Sequence, residues 1–237
     1  MDIYEQMHLP SVAKIDRVVP KKQFYDNADL TSSDKKLFDR VEKIRWRYAL
    51  KTENTNIPAY MDAEKEYLEI EIIEVILREE KNLSRLAEII FRAIPYPMLL
   101  FFRAEEKTSL WLGKLRVSES DKSRMTLTET EHTDFLPEDA PLWEKLSLKA
   151  QSTANFAILY ESWYDTVSRS RLAELAVDVE DMTGEAARER LSKLQEAERE
   201  IKALRSQMKK ESQFNRKMEL NTRLQRLKAT VKELRGE

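Results

Sequence analysis

The chain has 237 residues and a formal net charge of −2, with 35% charged and 41% hydrophobic residues, three glycines and no cysteine. The lack of cysteine excludes disulfides, thiolate zinc sites and thiol nucleophiles, and so few glycines argue against phosphate-binding loops and many-turned all-β folds. The longest apolar run, Ala93 to Phe102, covers ten residues, about half of a membrane span. No secretion signal is apparent at the start of the chain, so we expect a cytoplasmic protein that does not enter membranes.

Residues 1–30 lack a regular apolar pattern and are predicted to form an irregular N-terminal arm. A first helix is predicted to begin at the run of capping residues Thr31-Ser32-Ser33-Asp34. Two strands follow, at 44–50 and 68–77, in which apolar residues alternate with charged ones. The charges are basic on the first strand and acidic on the second, which predicts that the two strands pair. The apolar phase of the second strand slips by one residue, and this slip predicts a β-bulge there.

A helix with one apolar stripe, from Leu86 to Ile94, is predicted to end at Pro95. The apolar run Met98–Phe102 is typical of a central buried strand, and weaker strand patterns follow at 110–115 and 125–128. Residues 31–135 are therefore predicted to form an α+β body, a mixed β-sheet with helices on one face.

Residues 136–183 are predicted to be helical. Large aromatic residues recur there at helical spacing, among them Trp143, Tyr160 and Trp163. Such a pattern is more often core packing than a ligand site. Gly184 marks the predicted hinge to the last segment.

The last segment, residues 186–237, is basic: it holds 15 lysines and arginines against 8 acidic residues, whereas the first 185 residues hold 26 against 35. Two apolar seams with heptad spacing predict a coiled coil. The first comprises Leu194, Ala197, Ile201, Leu204 and Met208, and the second comprises Leu220, Leu224, Leu227, Val231 and Leu234. Because the seams are out of phase, either one long helix changes its buried face midway or the segment folds back as an antiparallel hairpin.

Such seams are not stable in water alone, so the tail is predicted to dock onto a partner, with self-association through the tail as an alternative. The predicted partner-contact residues are Leu194, Ile201, Met208, Phe214, Leu220, Leu224, Leu227 and Val231. The same tail offers cations for phosphate contacts, and the candidate nucleic-acid contacts are Lys209, Lys210, Arg216, Lys217, Arg223 and Arg226.

Little in the sequence indicates catalysis. The chain has two histidines, His8 and His132, and neither stands in a catalytic motif. Asp62, Glu79 and Lys81 offer the carboxylates and the lysine that a Mg²⁺-dependent nuclease of the restriction type would need. Acidic turns before helices are common for electrostatic reasons, so this nuclease is kept as the alternative, and no cofactor is expected otherwise.

Several short motifs resemble those of a bacterial domain-of-unknown-function family, family 4391. They are Val19-Pro20-Lys21-Lys22-Gln23-Phe24-Tyr25, Lys43-Ile44-Arg45-Trp46, Asn56-Ile57-Pro58, Glu69-Ile70, Glu74-Val75 and Ala93-Ile94-Pro95-Tyr96-Pro97. The resemblance covers roughly residues 10 to 135, and the stretch 213–221 is similar to the tail of many members. It names no activity, but it implies a setting beside helicases and DNA methyltransferases, in gene clusters similar to type III restriction-modification or other phage-defence systems.

The sequence and the resemblance together predict a non-catalytic accessory subunit of a bacterial defence complex. Its coiled-coil tail would dock onto a helicase or methyltransferase subunit, and DNA is a further candidate partner.

Overall fold

A computed structural model describes residues 2–27, 30–118, 125–175 and 177–236. The chain divides into two compact units, Met1–Tyr164 and Asp165–Glu237, which we call the body and the C-terminal unit. The predicted arm, residues 1–30, and the first part of the predicted helical segment both fall within the body.

The body is built around a mixed sheet, which confirms the α+β class. Its strands are β1 (Lys14–Val18), β2 (Val41–Lys51), β3 (Tyr60–Met61), β4 (Glu66–Tyr67), β5 (Glu69–Leu77), β6 (Met98–Ala104), β7 (Lys107–Val117), β8 (Met125–His132) and β9 (Leu136–Pro137). Seven of these described strands form one sheet in the order β1-β2-β5-β6-β7-β8, with β9 paired to β7, while β3 and β4 form a separate hairpin. Strands β5 and β6 are parallel, and the other described pairs are antiparallel.

The helices of the body are α1 (Ile3–Gln6), α2 (Lys21–Asn27), α3 (Ser32–Leu37), α4 (Thr52–Thr55), α5 (Leu83–Ala93), α6 (Pro141–Lys145) and the first part of α7 (Phe156–Glu174). Helix α3 begins where predicted, because Thr31 and Asp34 form a reciprocal capping box. Arg85 on α5 donates to both carboxylate oxygens of Asp34, at 2.8 and 2.9 Å. These hydrogen bonds hold the pKa of Asp34 well below its ordinary value and tie α3 to α5.

Helices cover both faces of the sheet, so the prediction of helices on one face is wrong. One face packs against α2, α3 and α5 in a core cluster that includes Leu100 and Phe102 of β6. On the opposite face, the ring of Phe101 lies 5.4 Å from Tyr4 of α1 and 6.3 Å from Trp143 of α6. Neighbouring side chains of a strand point to opposite faces, and β6 is buried along most of its length, so both faces need a cover.

The predicted pairing of the basic and acidic strands is confirmed. Lys51 Nζ on β2 lies 2.8 Å from Glu69 Oε2 on β5, and Arg45 lies opposite Glu74 in the register. Cross-strand pairs of opposite charge favour this register over its neighbours.

The predicted bulge is on the wrong strand. The register shifts twice, between Val41 and Lys43 and between Trp46 and Tyr48, and both additional residues, Glu42 and Arg47, are on β2. The second shift lies opposite Ile72 and Ile73, where the apolar phase slips. The one-residue slip of apolar phase in β5 has another cause, because this central strand is buried on both faces and carries apolar residues in both phases.

The prediction of an irregular N-terminal arm is also wrong. Residues of this arm form α1, β1 and α2, and Tyr4 and Phe24 are almost fully buried in the body. These elements are too short to show a period in the sequence, since periodicity needs a window of several turns.

The C-terminal unit contains the end of α7 together with α8 (Gly184–Lys210) and α9 (Phe214–Arg235). Helices α8 and α9 are antiparallel, which decides between the two alternatives in favour of the hairpin. Arg190 Nε near the start of α8 donates to Leu234 O near the end of α9 at 2.6 Å, and Arg223 pairs with Glu200 midway. A small core at the base of this hairpin joins α7 to both helices; it includes Leu172, Leu191, Leu194, Val231 and Leu234.

In the described part of the chain, no helix combines the length and the apolarity that a membrane crossing needs.

Candidate docking surface

The three residues of the nuclease alternative are not brought together. Asp62 lies in the turn between β3 and β4, close to the end of the sheet where β5 begins. Glu79 and Lys81 follow the other end of β5. The strand between them has nine residues, which span about 26 Å, so the Asp62 carboxylate and the Glu79 carboxylate cannot share one metal ion.

Each of these side chains has a local role instead. The Asp62 carboxylate accepts hydrogen bonds from the amides of Glu64 and Lys65 and from the Tyr60 hydroxyl, and these bonds lower its pKa. Glu79 forms exposed ion pairs with Arg40, at 3.5 Å, and with Lys81, at 3.4 Å. Among the described residues, no group of three or more histidines, aspartates or glutamates could hold a metal ion.

The two histidines also have structural surroundings. His8 Nδ1 lies 3.0 Å from Ser147 Oγ and 2.8 Å from the carbonyl oxygen of Gln6. The His8 ring thus links the turn after α1 to the turn after α6. The ring of His132 stacks on Trp111 at 4.1 Å, which makes it part of the packing at the end of β8.

A buried cluster of charged residues on the body is a feature that the sequence analysis missed. Glu74 on β5 is 3% exposed; it accepts a hydrogen bond from the Tyr4 hydroxyl at 3.1 Å and lies 3.7 Å from Arg47 Nη1. The Arg47 guanidinium also lies over the Tyr4 ring, 4.7 Å from its centre, and 3.2 Å from Asp16. Because every charge in this cluster has a partner of opposite charge or a hydroxyl, it holds α1 and β1 on the sheet rather than forming an open site.

Glu71 is a second buried acid, and its protonation should make stability depend on pH. Burial and the neighbouring Glu69 raise the pKa of Glu71 from 4.5 to about 8, and its carboxyl accepts a hydrogen bond from the Trp46 indole. Between pH 4.5 and 8 the folded protein holds a proton that the unfolded chain releases, so stability falls as pH rises through this window.

Glu71→Gln should therefore stabilise the body by about 2 kcal/mol at pH 8 and have little effect at pH 4.5. The glutamine can still accept from Trp46, so packing is preserved. Urea unfolding at both pH values measures the difference, with the exposed Glu53→Gln as the matched control. Equal effects of Glu71→Gln at the two pH values would contradict a raised pKa of Glu71.

The C-terminal hairpin uses most of its apolar seam internally. Leu194 is 1% exposed, Leu204 3% and Leu224 6%, so Leu194 and Leu224 are not free to contact a partner as predicted. The remaining predicted contacts, other than Phe214, are half-buried; they are Ile201, Met208, Leu220, Leu227 and Val231. The two helices thus bury much of their seams against each other, so the apolar stripe alone does not require a separate partner protein.

In the described part of the C-terminal unit, the most exposed large apolar side chains lie at the hairpin tip, which we define as residues 208–220. Phe214 is 74% exposed and Met218 is 50% exposed. They are four residues apart on α9 and therefore lie on the same face of its first turns. Beside them, an open groove of about 530 Å³ is lined by Gln207, Lys210, Glu211, Arg216, Glu219, Leu220 and Arg223.

The predicted nucleic-acid contacts fall into two groups. Lys209, Lys210, Arg216 and Lys217 are exposed at the tip. Arg223 instead pairs with Glu200 on α8, and exposed Arg226 lies further along α9. The tip therefore combines exposed apolar side chains with a local excess of positive charge, and we take it as the candidate docking surface.

Comparisons with known proteins place the chain in a family without naming a relative. No curated protein and no solved structure shows a significant match to it. The model of one family matches residues 7–231, nearly the whole chain and both units. The chain therefore belongs to the family described as a domain of unknown function (DUF4391).

Proposed function

We propose that this protein is a non-catalytic accessory subunit that docks through its C-terminal hairpin onto a larger partner in the bacterial cytoplasm. In this proposal α8 and α9 form an antiparallel coiled coil that presents its tip to the partner. The partner is a helicase or DNA methyltransferase subunit of a restriction-like defence complex, as the gene setting implied by the family resemblance suggests.

One observation carries the proposal. The C-terminal unit is compact by itself, and its helices bury their seams against each other, yet Phe214 at the tip stays 74% exposed. Together with Met218, which is 50% exposed four residues later, Phe214 forms an exposed apolar patch beside charged residues, and such a patch is typical of a protein–protein contact.

The proposal predicts that deleting residues 186–237 abolishes co-purification with the partner. The deletion should leave the body folded, because the main core cluster of the body is formed by residues in the range 24–111, which the deletion keeps. The measurement is co-expression with the neighbouring helicase and methyltransferase genes, followed by affinity purification and size-exclusion chromatography. Thermal unfolding of the truncated chain checks the body.

Ile158→Ser is the matched control, since Ile158 is an exposed apolar residue of the body, 44% accessible. It should co-purify like the unchanged chain. Retention of the partner by the truncated chain would refute docking through the hairpin.

DNA binding by the same tip is the second candidate, because Lys209, Lys210, Arg216 and Lys217 are exposed there. It predicts an affinity for duplex DNA that falls steeply as salt increases. A flat salt response, or no binding to a labelled duplex at 50 to 200 mM salt, a range of about fourfold, would dismiss it.

A further inference from the structure

Phe214 and Met218 are not explained by the packing of the hairpin. The seams of the two helices are mutually buried at Leu204 and Leu224, and toward the tip they end at the half-buried Met208 and Leu220. Phe214 is the first residue of α9, at the point where the chain turns, and 74% of it stays exposed. Burying a side chain of this size is worth about 2 to 3 kcal/mol, and the hairpin does not gain it.

Helix stabilisation accounts for the positive charges of the tip at the end of α8 but not for those at the start of α9. Lys209 and Lys210 lie in the last turn of α8, where cations are favourable for the helix dipole. Arg216 lies in the first turn of α9 and Lys217 follows it, where cations are unfavourable. That first turn holds no acidic residue, and its N-cap, Gln213, forms no side-chain capping bond.

Arg216 and Lys217 stand between Phe214 and Met218 on α9, and residues 208–220 hold four cations against two acids, Glu211 and Glu219. This combination of apolar and positively charged side chains determines what the tip can bind. An apolar pocket would accept Phe214 and Met218, and acidic residues around that pocket would complement Lys210, Arg216 and Lys217. A nucleic acid would complement the positive charges but has no apolar pocket to accept the Met218 side chain. A second tip would repel the first because both carry the same excess of charge.

We propose that the hairpin tip inserts Phe214 and Met218 into an apolar, acid-rimmed pocket on a partner protein. This inference rests on the proposed function and specifies the chemistry of the partner surface that the tip would bind. The apolar pair supplies most of the binding free energy, and the cations accelerate association and select an acidic surface.

The test uses the full-length chain co-expressed with the neighbouring helicase or methyltransferase subunit, which serves as the probe. Phe214→Ala with Met218→Ala should weaken its binding at least tenfold, as loss of two central contacts does. Gln225→Ala, an exposed change in the middle of α9, is the matched control and should leave binding unchanged. A photo-crosslinking residue at position 214 should form an adduct with the probe, and the same residue at position 225 should not.

Charge reversal separates binding from folding. Arg216→Glu with Lys217→Glu places acids near the start of α9, so it should raise the thermal stability of the hairpin while it weakens binding at least tenfold and flattens the salt dependence. A variant that is more stable and still binds normally would overturn the acid-rimmed pocket.

The remaining outcomes distinguish this inference from the proposed function. If the 186–237 deletion loses the probe but the Phe214 and Met218 variant keeps it, the tip is not the contact and docking through the hairpin stands. Two other results would also overturn the inference. One is binding of a 30-base-pair duplex, about three helical turns, that the charge reversal removes but the Phe214 and Met218 variant does not. The other is self-association of the chain alone that the Phe214 and Met218 variant removes.

Discussion

Replacing Tyr160 with phenylalanine should lower the free energy of unfolding of the body by about 3 kcal/mol. Tyr160 on α7 is fully buried, and its hydroxyl accepts a hydrogen bond from the Gly113 amide at 2.9 Å. The same hydroxyl lies 3.0 Å from Met98 O and 2.9 Å from Gly113 O, and it donates to one of these carbonyls at a time. The pairing of β6 with β7 ends at Leu99 and Leu112. The Tyr160 hydroxyl thus takes the place of the next backbone hydrogen bonds between these two strands.

The phenylalanine variant leaves a buried amide and a buried carbonyl without partners, and each such group costs about 1 to 3 kcal/mol. Urea unfolding monitored by circular dichroism measures the loss, and hydrogen exchange of the Gly113 amide should become faster. Tyr96→Phe is the matched control, because Tyr96 is a tyrosine of the body that is 39% exposed. A loss below about 1 kcal/mol would contradict the role of the Tyr160 hydroxyl.

The case of Tyr160 shows what periodicity can and cannot predict. Helical spacing of large aromatic residues correctly indicated that Tyr160 and Trp163 are core residues, both 0% exposed. The polar role of Tyr160 depends on Gly113 and Met98, which are 47 and 62 residues away. No local pattern contains that information, because it arises only when α7 lies on the sheet.

The same division explains the strands and the N-terminal arm. Alternating charge predicted the pairing of β2 with β5, because the basic residues of one strand and the acidic residues of the other can each be read from the sequence of that strand alone. The arm, in contrast, is held by single long-range contacts, such as the hydrogen bond from Tyr4 to Glu74 across 70 residues. One buried tyrosine in a short helix gives no period, so the arm was predicted to be irregular.

The spacing of the two seams predicts a coiled coil but not its direction. The first seam steps by 3, 4, 3 and 4 residues from Leu194 to Met208, and the second by 4, 3, 4 and 3 from Leu220 to Leu234. Every heptad seam alternates such steps whichever way it is read, so the pattern fits one long helix and a hairpin equally well. The hydrogen bond from Arg190 near the start of α8 to Leu234 near the end of α9 shows that the two helices are antiparallel.

The candidate docking surface was predicted in part. Phe214 is among the contacts that the sequence predicts. The other predicted contacts are seam residues that the hairpin buries fully or in part. The signal that separates it is that it fits neither seam: it lies six residues after Met208 and six before Leu220. An aromatic residue outside both seams is left exposed when the two helices bury their seams against each other, so its exposure can be inferred only once the fold-back is known.

Leu204→Asp should unfold the hairpin and remove partner binding together with it. Leu204 on α8 is 3% exposed and belongs to the seam between the two helices. The substitution loses an apolar contact and places a charge in a buried seam, so we expect a loss of about 4 kcal/mol in the stability of the C-terminal unit. Helices α8 and α9 depend on each other for burial and are expected to melt together.

The neighbouring Ala203→Asp is the matched control, since Ala203 is exposed on the same helix. It should change stability by less than about 0.5 kcal/mol and leave binding intact. Circular dichroism follows the loss of helix, and limited proteolysis should cut the Leu204→Asp chain between residues 184 and 235 while the body stays resistant. If Leu204→Asp kept its helix content and its partner, the hairpin would not depend on the seam, and the tip would not need the fold-back to be presented.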